Sequence, residues 1–292
     1  MRFLEKHPMG MILIGIMGIS LSSIFVKYSQ APSTVTAAWR LMWTVAMITP
    51  AALRQQTRRE IAAMGKKMLL LSGLSGLFLA IHFAMWFESL EHTSVAASTT
   101  IVCTDVIWVC LGYWLFLGGK VTGKALLAIG VTLSGSVLIA WSDFGSGGLY
   151  GDLLALAAAM AVAVYTLLGR VVRERVSTTA YTWVVYVTCA VSLLLFCAFR
   201  GEPLTGWGLS APVVGFLLAL FSTVLGHSVF SWCLKYFSPS FVSASKLCEP
   251  VVAAILAAFL FAELPTALQL LGAVLIIGGV LYYAKLERSE VP

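Results

Sequence analysis

Residues 82–117, HFAMWFESLEHTSVAASTTIVCTDVIWVCLGYWLFL, lie over residues 227–262, HSVFSWCLKYFSPSFVSASKLCEPVVAAILAAFLFA, at a constant offset of 145. His82 falls on His227, Ser98 on Ser243, Cys103 on Cys248 and Phe116 on Phe261, and a three-residue contraction then brings Gly130 onto Gly272. Apolar sequences match by chance, so the alignment draws its weight from the pattern around it. A helix needs about 20 apolar residues to cross a hydrocarbon core of about 30 Å. Ten runs of that kind occur, over 10–27, 33–53, 67–88, 93–117, 124–142, 149–169, 178–199, 211–235, 239–261 and 265–285. Five fall in each half, and an odd number turns the second copy upside down in the membrane. Secondary transporters use such inverted repeats to hold a site near the midplane and expose it to each side in turn. The sequence therefore predicts an all-α membrane protein of ten transmembrane helices, built as two inverted five-helix repeats over 1–146 and 147–292.

Composition agrees with this reading. Of the 292 residues 60% are hydrophobic and only 11% charged, against about 45–50% and about 25% in soluble domains. So little polar surface excludes an ordinary water-soluble enzyme. The breaks between runs, such as Gln30-Ala31-Pro32-Ser33 and Glu263-Leu264-Pro265, leave no room for an extramembrane domain. Arg2 and Lys6 before the first run, with Ser29-Gln30-Ala31 after it, imitate a signal peptide. The many spans that follow favour a retained first helix. All six cysteines lie inside apolar runs without the two-residue spacing of zinc or thiol-redox sites, which suits small packing residues.

The net charge of +6 invites a nucleic-acid reading that the charge positions remove. With the N-terminus inside, fifteen of the nineteen Lys and Arg fall on the inner side, the densest cluster being Arg54, Arg58, Arg59, Lys66 and Lys67. The outer side holds Lys27 and Arg200, together with Glu88, Glu91, Asp143, Asp152, Glu202 and Glu263. Cytoplasmic loops carry the Lys and Arg excess. The expectation is a multi-pass protein of the bacterial inner (plasma) membrane with both termini cytoplasmic, the bilayer as its partner and no nucleic acid.

The second half carries a more specific pattern. Ser240-Phe241-Val242-Ser243-Ala244-Ser245-Lys246-Leu247-Cys248-Glu249-Pro250 precedes an apolar run, the acidic break Ala262-Glu263, and a last helix with Leu271-Gly272-Ala273 and Gly278-Gly279. This resembles the ninth and tenth helices of EamA-type transporters of the drug/metabolite transporter superfamily, and the likeness extends from about Met9 to Lys285. The first half departs from it, with Thr104-Asp105 where the second has Glu249-Pro250. The resemblance implies a transporter, in a family whose members export amino acids, other metabolites or drugs.

An ionisable side chain near the centre of a span costs about 2.5–3.5 kcal/mol on insertion scales and is a functional candidate for that reason. Four qualify: Asp105, Lys246 and Glu249, and Arg40, which lies about a third of the way through its run. Lys246 and Glu249, three residues apart, share a helical face and have two readings: substrate binding, or mutual neutralisation. For Arg40 the expectation is carbonyl capping or snorkelling. Pro250 removes an N–H and frees a carbonyl near Lys246, which is tolerated where protein or water satisfies it. His82 and His227 occupy matched places and suit either a proton shuttle or buried, hydrogen-bonded packing. Trp86, Trp108 and Tyr165 lie nearer the interior of their spans than the other aromatics and suit the walls of an apolar site.

The site expected from sequence therefore contains Lys246, Glu249, Asp105, Trp86, Trp108, Tyr165, His82 and His227, with no metal, cofactor or catalytic residue. Lys246 suits a solute carboxylate and an acid suits an amine, so the expected solute is a small zwitterionic or amphipathic metabolite. Either carboxylate also suits a coupling proton. The alternative is an integral membrane enzyme or flippase acting on a lipid carrier, which needs its acids near an interface rather than deep in the spans.

Overall fold

The computed structural model describes residues 8–141, 148–252, 255 and 266–290. Arg2, Lys6, Asp143, Glu263, the Ala262-Glu263 break, the division at 146/147 and most of the ninth run beyond Val252 lie outside the described residues. Within them the regular elements are all helical: α1 (Pro8–Val26), α2 (Ser33–Ala52), α3 (Gln55–Ala62), α4 (Lys66–His92), α5 (Ala97–Leu117), α6 (Gly123–Ala140), α7 (Leu149–Arg173), α8 (Thr178–Arg200), α9 (Ser210–Cys233), α10 (Pro239–Lys246) and α11 (Ala267–Glu290).

Among the described residues seven of these, α1, α4, α5, α7, α8, α9 and α11, are long and apolar enough to cross a membrane, and α6 contributes a shorter apolar helix. α2 has the length of a span, 20 residues, but Ser33, Thr34, Thr36, Arg40, Thr44 and Thr49 dilute its apolar character. The basic stretch after α2 is not plain loop: it forms α3, whose Glu60 accepts hydrogen bonds from the backbone N–H and the hydroxyl of Ser177, 2.6 Å each, at the start of α8. At the other end of α2, Glu88 accepts from Ser33 Oγ (2.8 Å) and lies 3.5 Å from Arg200, joining α2, α4 and α8.

Leu70, Phe116, Leu127, Phe199 and Val274 point outward and are more than half exposed, which in this chain is the lipid-facing surface rather than an aggregation hazard. Inside, apolar burial divides into two main clusters. Val35, Leu41, Leu79, Phe83, Val162, Tyr186 and Leu218 join α2, α4, α7, α8 and the first part of α9. Ile16, Val106, Ile129, Phe230, Phe241, Leu247 and Tyr283 join α1, α5, α6, the last part of α9, α10 and α11. Each cluster draws on both sequence halves. The helices approach closely where side chains are small: a Cβ built on Gly135 would lie 2.6 Å from the Gly272 carbonyl oxygen and the converse distance is the same, so α6 and α11 touch backbone to backbone.

Candidate functional site

Both helices that carry the deep acids are interrupted beside them. The α-helical ladder gives way to a tighter turn at Cys103 and Thr104 and resumes at Asp105, and it does the same at Leu247 and Cys248 before Glu249, with Cys103, Thr104 and Leu247 keeping right-handed helical angles. Each acid is thus the first residue after such a turn. Proline accounts for the second break only. In the first, the Thr104 hydroxyl donates to the Ile101 carbonyl at 2.7 Å, replacing part of the lost ladder.

Lys246, at the end of α10, pairs across the helix interface. Its ammonium donates to Asp105 Oδ2 on α5, and Ser243 Oγ donates to the same oxygen at 3.0 Å. Glu249 has no hydrogen bond or ion pair among the described residues and lines a central cavity. The mutual Lys246 and Glu249 neutralisation allowed by their spacing is not what forms.

Arg40 is the group that sequence reasoning undervalued. It neither caps a carbonyl nor snorkels: its side chain is fully buried. Nε–H donates to Thr223 Oγ1 at 2.7 Å and Nη1–H to Ser22 Oγ at 3.2 Å, while the guanidinium carbon stands 4.1 Å from the centroid of the Phe83 ring. Nη2 has no partner among the described residues. A signal existed in the sequence, since Ser33, Thr36, Arg40 and Thr44 recur at helical spacing and form one buried polar stripe. A snorkelling arginine would sit on an apolar, lipid-facing stripe instead. Thr223 and Ser222 come from a π-helical stretch, Leu218–His227, in the middle of α9. Wider turns of this kind recur at functional sites, and here they present two hydroxyls and His227 to the same interior.

His82 receives a fixed orientation. Its Nδ1–H donates to the Ala158 carbonyl at 3.0 Å; a carbonyl can only accept, so Nε2 is the free ring nitrogen when the ring is neutral. The ring stacks on Trp86 at 5.9 Å, and His227 meets the edge of Phe83 at 5.2 Å. Tyr165 stands 6.1 Å from His227 and bonds to Ser231 Oγ at 2.8 Å. It supports the site from behind and is not among the residues that line the cavity. Trp108 is not there either; its indole N–H is buried without a partner, away from the cavity wall.

Asp105, Lys246, Glu249, Trp86, His82 and His227 therefore converge on one cavity, and Arg40, Ser22 and Ser222 join them. Its volume is about 50 Å³. One water needs roughly 10–15 Å³ of such space, so this conformation holds a few waters and no amino-acid-sized solute. Two cations and two acids line it.

The EamA-like transporter family matches residues 8–141 and again residues 149–284. An uncharacterized transporter of Clostridium kluyveri is 22% identical over 252 residues, covering 84% of this chain and 81% of its own length. The uncharacterized transporter YyaM of Bacillus subtilis is 28% identical over 281 residues, 90% of this chain and 87% of its own. A crystal structure of a protein 18% identical superposes with a TM-score of 0.77 over 97% of this chain and 98% of that one, a likeness of fold.

Proposed function

Since this chain belongs to the EamA-like transporter family and is a multi-pass membrane transporter of small molecules, we propose that it exports a small zwitterionic or amphipathic metabolite by alternating access. The full topology in this reading is ten spans in two inverted five-helix repeats, with both termini on the cytoplasmic side of a bacterial inner membrane. The observation that carries the proposal is the meeting of four charged side chains, Arg40 and Asp105 from one half and Lys246 and Glu249 from the other, at one buried cavity. Intramembrane charges are retained where they serve a pathway, and discontinuous helices beside such a site are a feature of transporters whose halves rock about it.

The small volume of the cavity bears on the mechanism. Because the cavity holds only a few waters, a solute enters when the packed clusters separate on one side, and the opposite side stays shut. In this reading the contacts of Glu88 with Ser33 and Arg200 hold one side shut, and those of Glu60 with Ser177 and of Glu287 with Ser238 the other. Hydrogen bonds to charged groups are worth about 1.5–3 kcal/mol each, and so few of them suit a latch that opens in each cycle. Purified protein in liposomes preloaded with amino acids, nucleobases or cationic drugs provides the test. Counterflow with at least one amino acid is expected; protein that is folded and inserted yet inert toward the whole panel overturns the reading.

A further inference from the structure

The charges lining the cavity are unequally satisfied. Lys246 is matched by Asp105, and that acid also takes the Ser243 hydroxyl. Arg40 has two neutral hydroxyls and an aromatic face, but no carboxylate within ion-pair distance among the described residues, and its Nη2 meets nothing. Glu249 makes no hydrogen bond or ion pair among the described residues either; it feels the charges of Lys246 and Arg40 without touching them, and it lines the same cavity as Arg40. A fully buried guanidinium with only neutral partners is costly to hold, because hydroxyls recover part of the lost hydration and none of the charge. What would complete it is an anion, and its planar fork matches the two oxygens of a carboxylate.

We propose that Arg40, not Lys246, binds the carboxylate of the transported solute, with Glu249 of the opposite half facing its ammonium group. This rests on the transport reading above and sharpens it. The charge tally supports a zwitterion over an anion or a cation: Arg40 and Lys246 balance Asp105 and Glu249, so a solute of zero net charge leaves the low-dielectric cavity neutral. A phosphate dianion would put surplus negative charge beside Glu249. The order of the charges also sets the solute's direction, since the cationic end faces the second half and the anionic end faces the Ser22, Arg40 and Thr223 cluster.

The test uses the full chain in detergent, with thermal unfolding read against alanine, threonine, leucine and phenylalanine, each beside the amine left when its carboxylate is removed. The unmodified protein should be stabilised by at least one amino acid and not by the matching amine. Arg40→Lys, which keeps the charge and loses the fork, and Arg40→Gln should raise the half-saturating concentration about 10- to 100-fold, the range for a lost charged hydrogen bond. Ligand-free melting of Arg40→Gln should be unchanged or higher, because an incompletely paired buried charge is removed; a purely structural arginine would show the reverse. Equal stabilisation by amines, unchanged affinity in folded Arg40 variants, or no stabilisation by any amino acid overturns the proposal. Counterflow in parallel separates the two readings. Transport indifferent to Arg40 defeats this inference alone, whereas Arg40-dependent binding without counterflow defeats the transport reading and leaves the binding site standing. If Arg40→Gln does not fold, the amine comparison on the unmodified protein and Arg40→Lys still decide.

Discussion

Lys246 at the end of α10 pairs with Asp105 on α5, across the helix interface, and not with Glu249 three residues further along its own chain. Glu249 follows the turn at Leu247 and Cys248 and makes no ion pair with Lys246, whose ammonium is taken by the acid that α5 presents. Removing one member of such a buried pair strands the other, at a cost of about 3 kcal/mol or more. Asp105→Asn should therefore lower the melting temperature of the purified protein sharply, and adding Lys246→Gln should restore most of the loss. A double variant no more stable than Asp105→Asn alone would show that the pair is not coupled.

Glu249 is then the acid left free to carry a coupling proton, if solute and proton exchange at one carboxylate. In proteoliposomes, solute flux should respond to an imposed pH gradient of either direction. With Glu249→Gln, the exchange that survives at higher solute concentration should be indifferent to the gradient. A full gradient response in Glu249→Gln would move the coupling role elsewhere.

Close helix approach makes a sharp contrast available within one helix. A methyl group on Gly272 would meet the Gly135 carbonyl oxygen at 2.6 Å, whereas one on Gly278 meets nothing within 4 Å. Gly272→Ala should destabilise by about 1–3 kcal/mol through forced separation of α6 and α11. Gly278→Ala should be neutral or stabilising by up to about 1 kcal/mol, because alanine is the better helix former. Melting of the two single variants, measured side by side, checks the crossing.

Orientation is open to direct labelling. In a background without the six native cysteines, Gln56→Cys on α3 should react with a membrane-impermeant maleimide only from the cytoplasmic face. Thr205→Cys, exposed between α8 and α9, should react only from outside. Reaction of both from one face would overturn the proposed topology.

What the sequence by itself determined is what depends on composition and run length. Long apolar runs made a multi-helix membrane protein unavoidable, because backbone polar groups in lipid must be bonded within a helix. The pattern around Lys246-Leu247-Cys248-Glu249-Pro250 was enough to suggest the family. Five of the eight expected site residues, Asp105, Lys246, Glu249, His82 and His227, could be placed together on depth alone, since ionisable groups and histidines in mid-span must turn inward, and Trp86 lines the same cavity. Depth along a helix says nothing about direction around it, so Trp108 was expected at the cavity and lies away from it. The same blindness assigned Arg40 to snorkelling, although the polar stripe from Ser33 to Thr44 carried the contrary signal. Tertiary structure alone decided the partner of Lys246, because that depends on the neighbour that α5 presents to the end of α10. It also decided that the buried clusters cut across the sequence halves, since each apolar helix face is satisfied by whichever face it meets, irrespective of the order in which the chain supplies them.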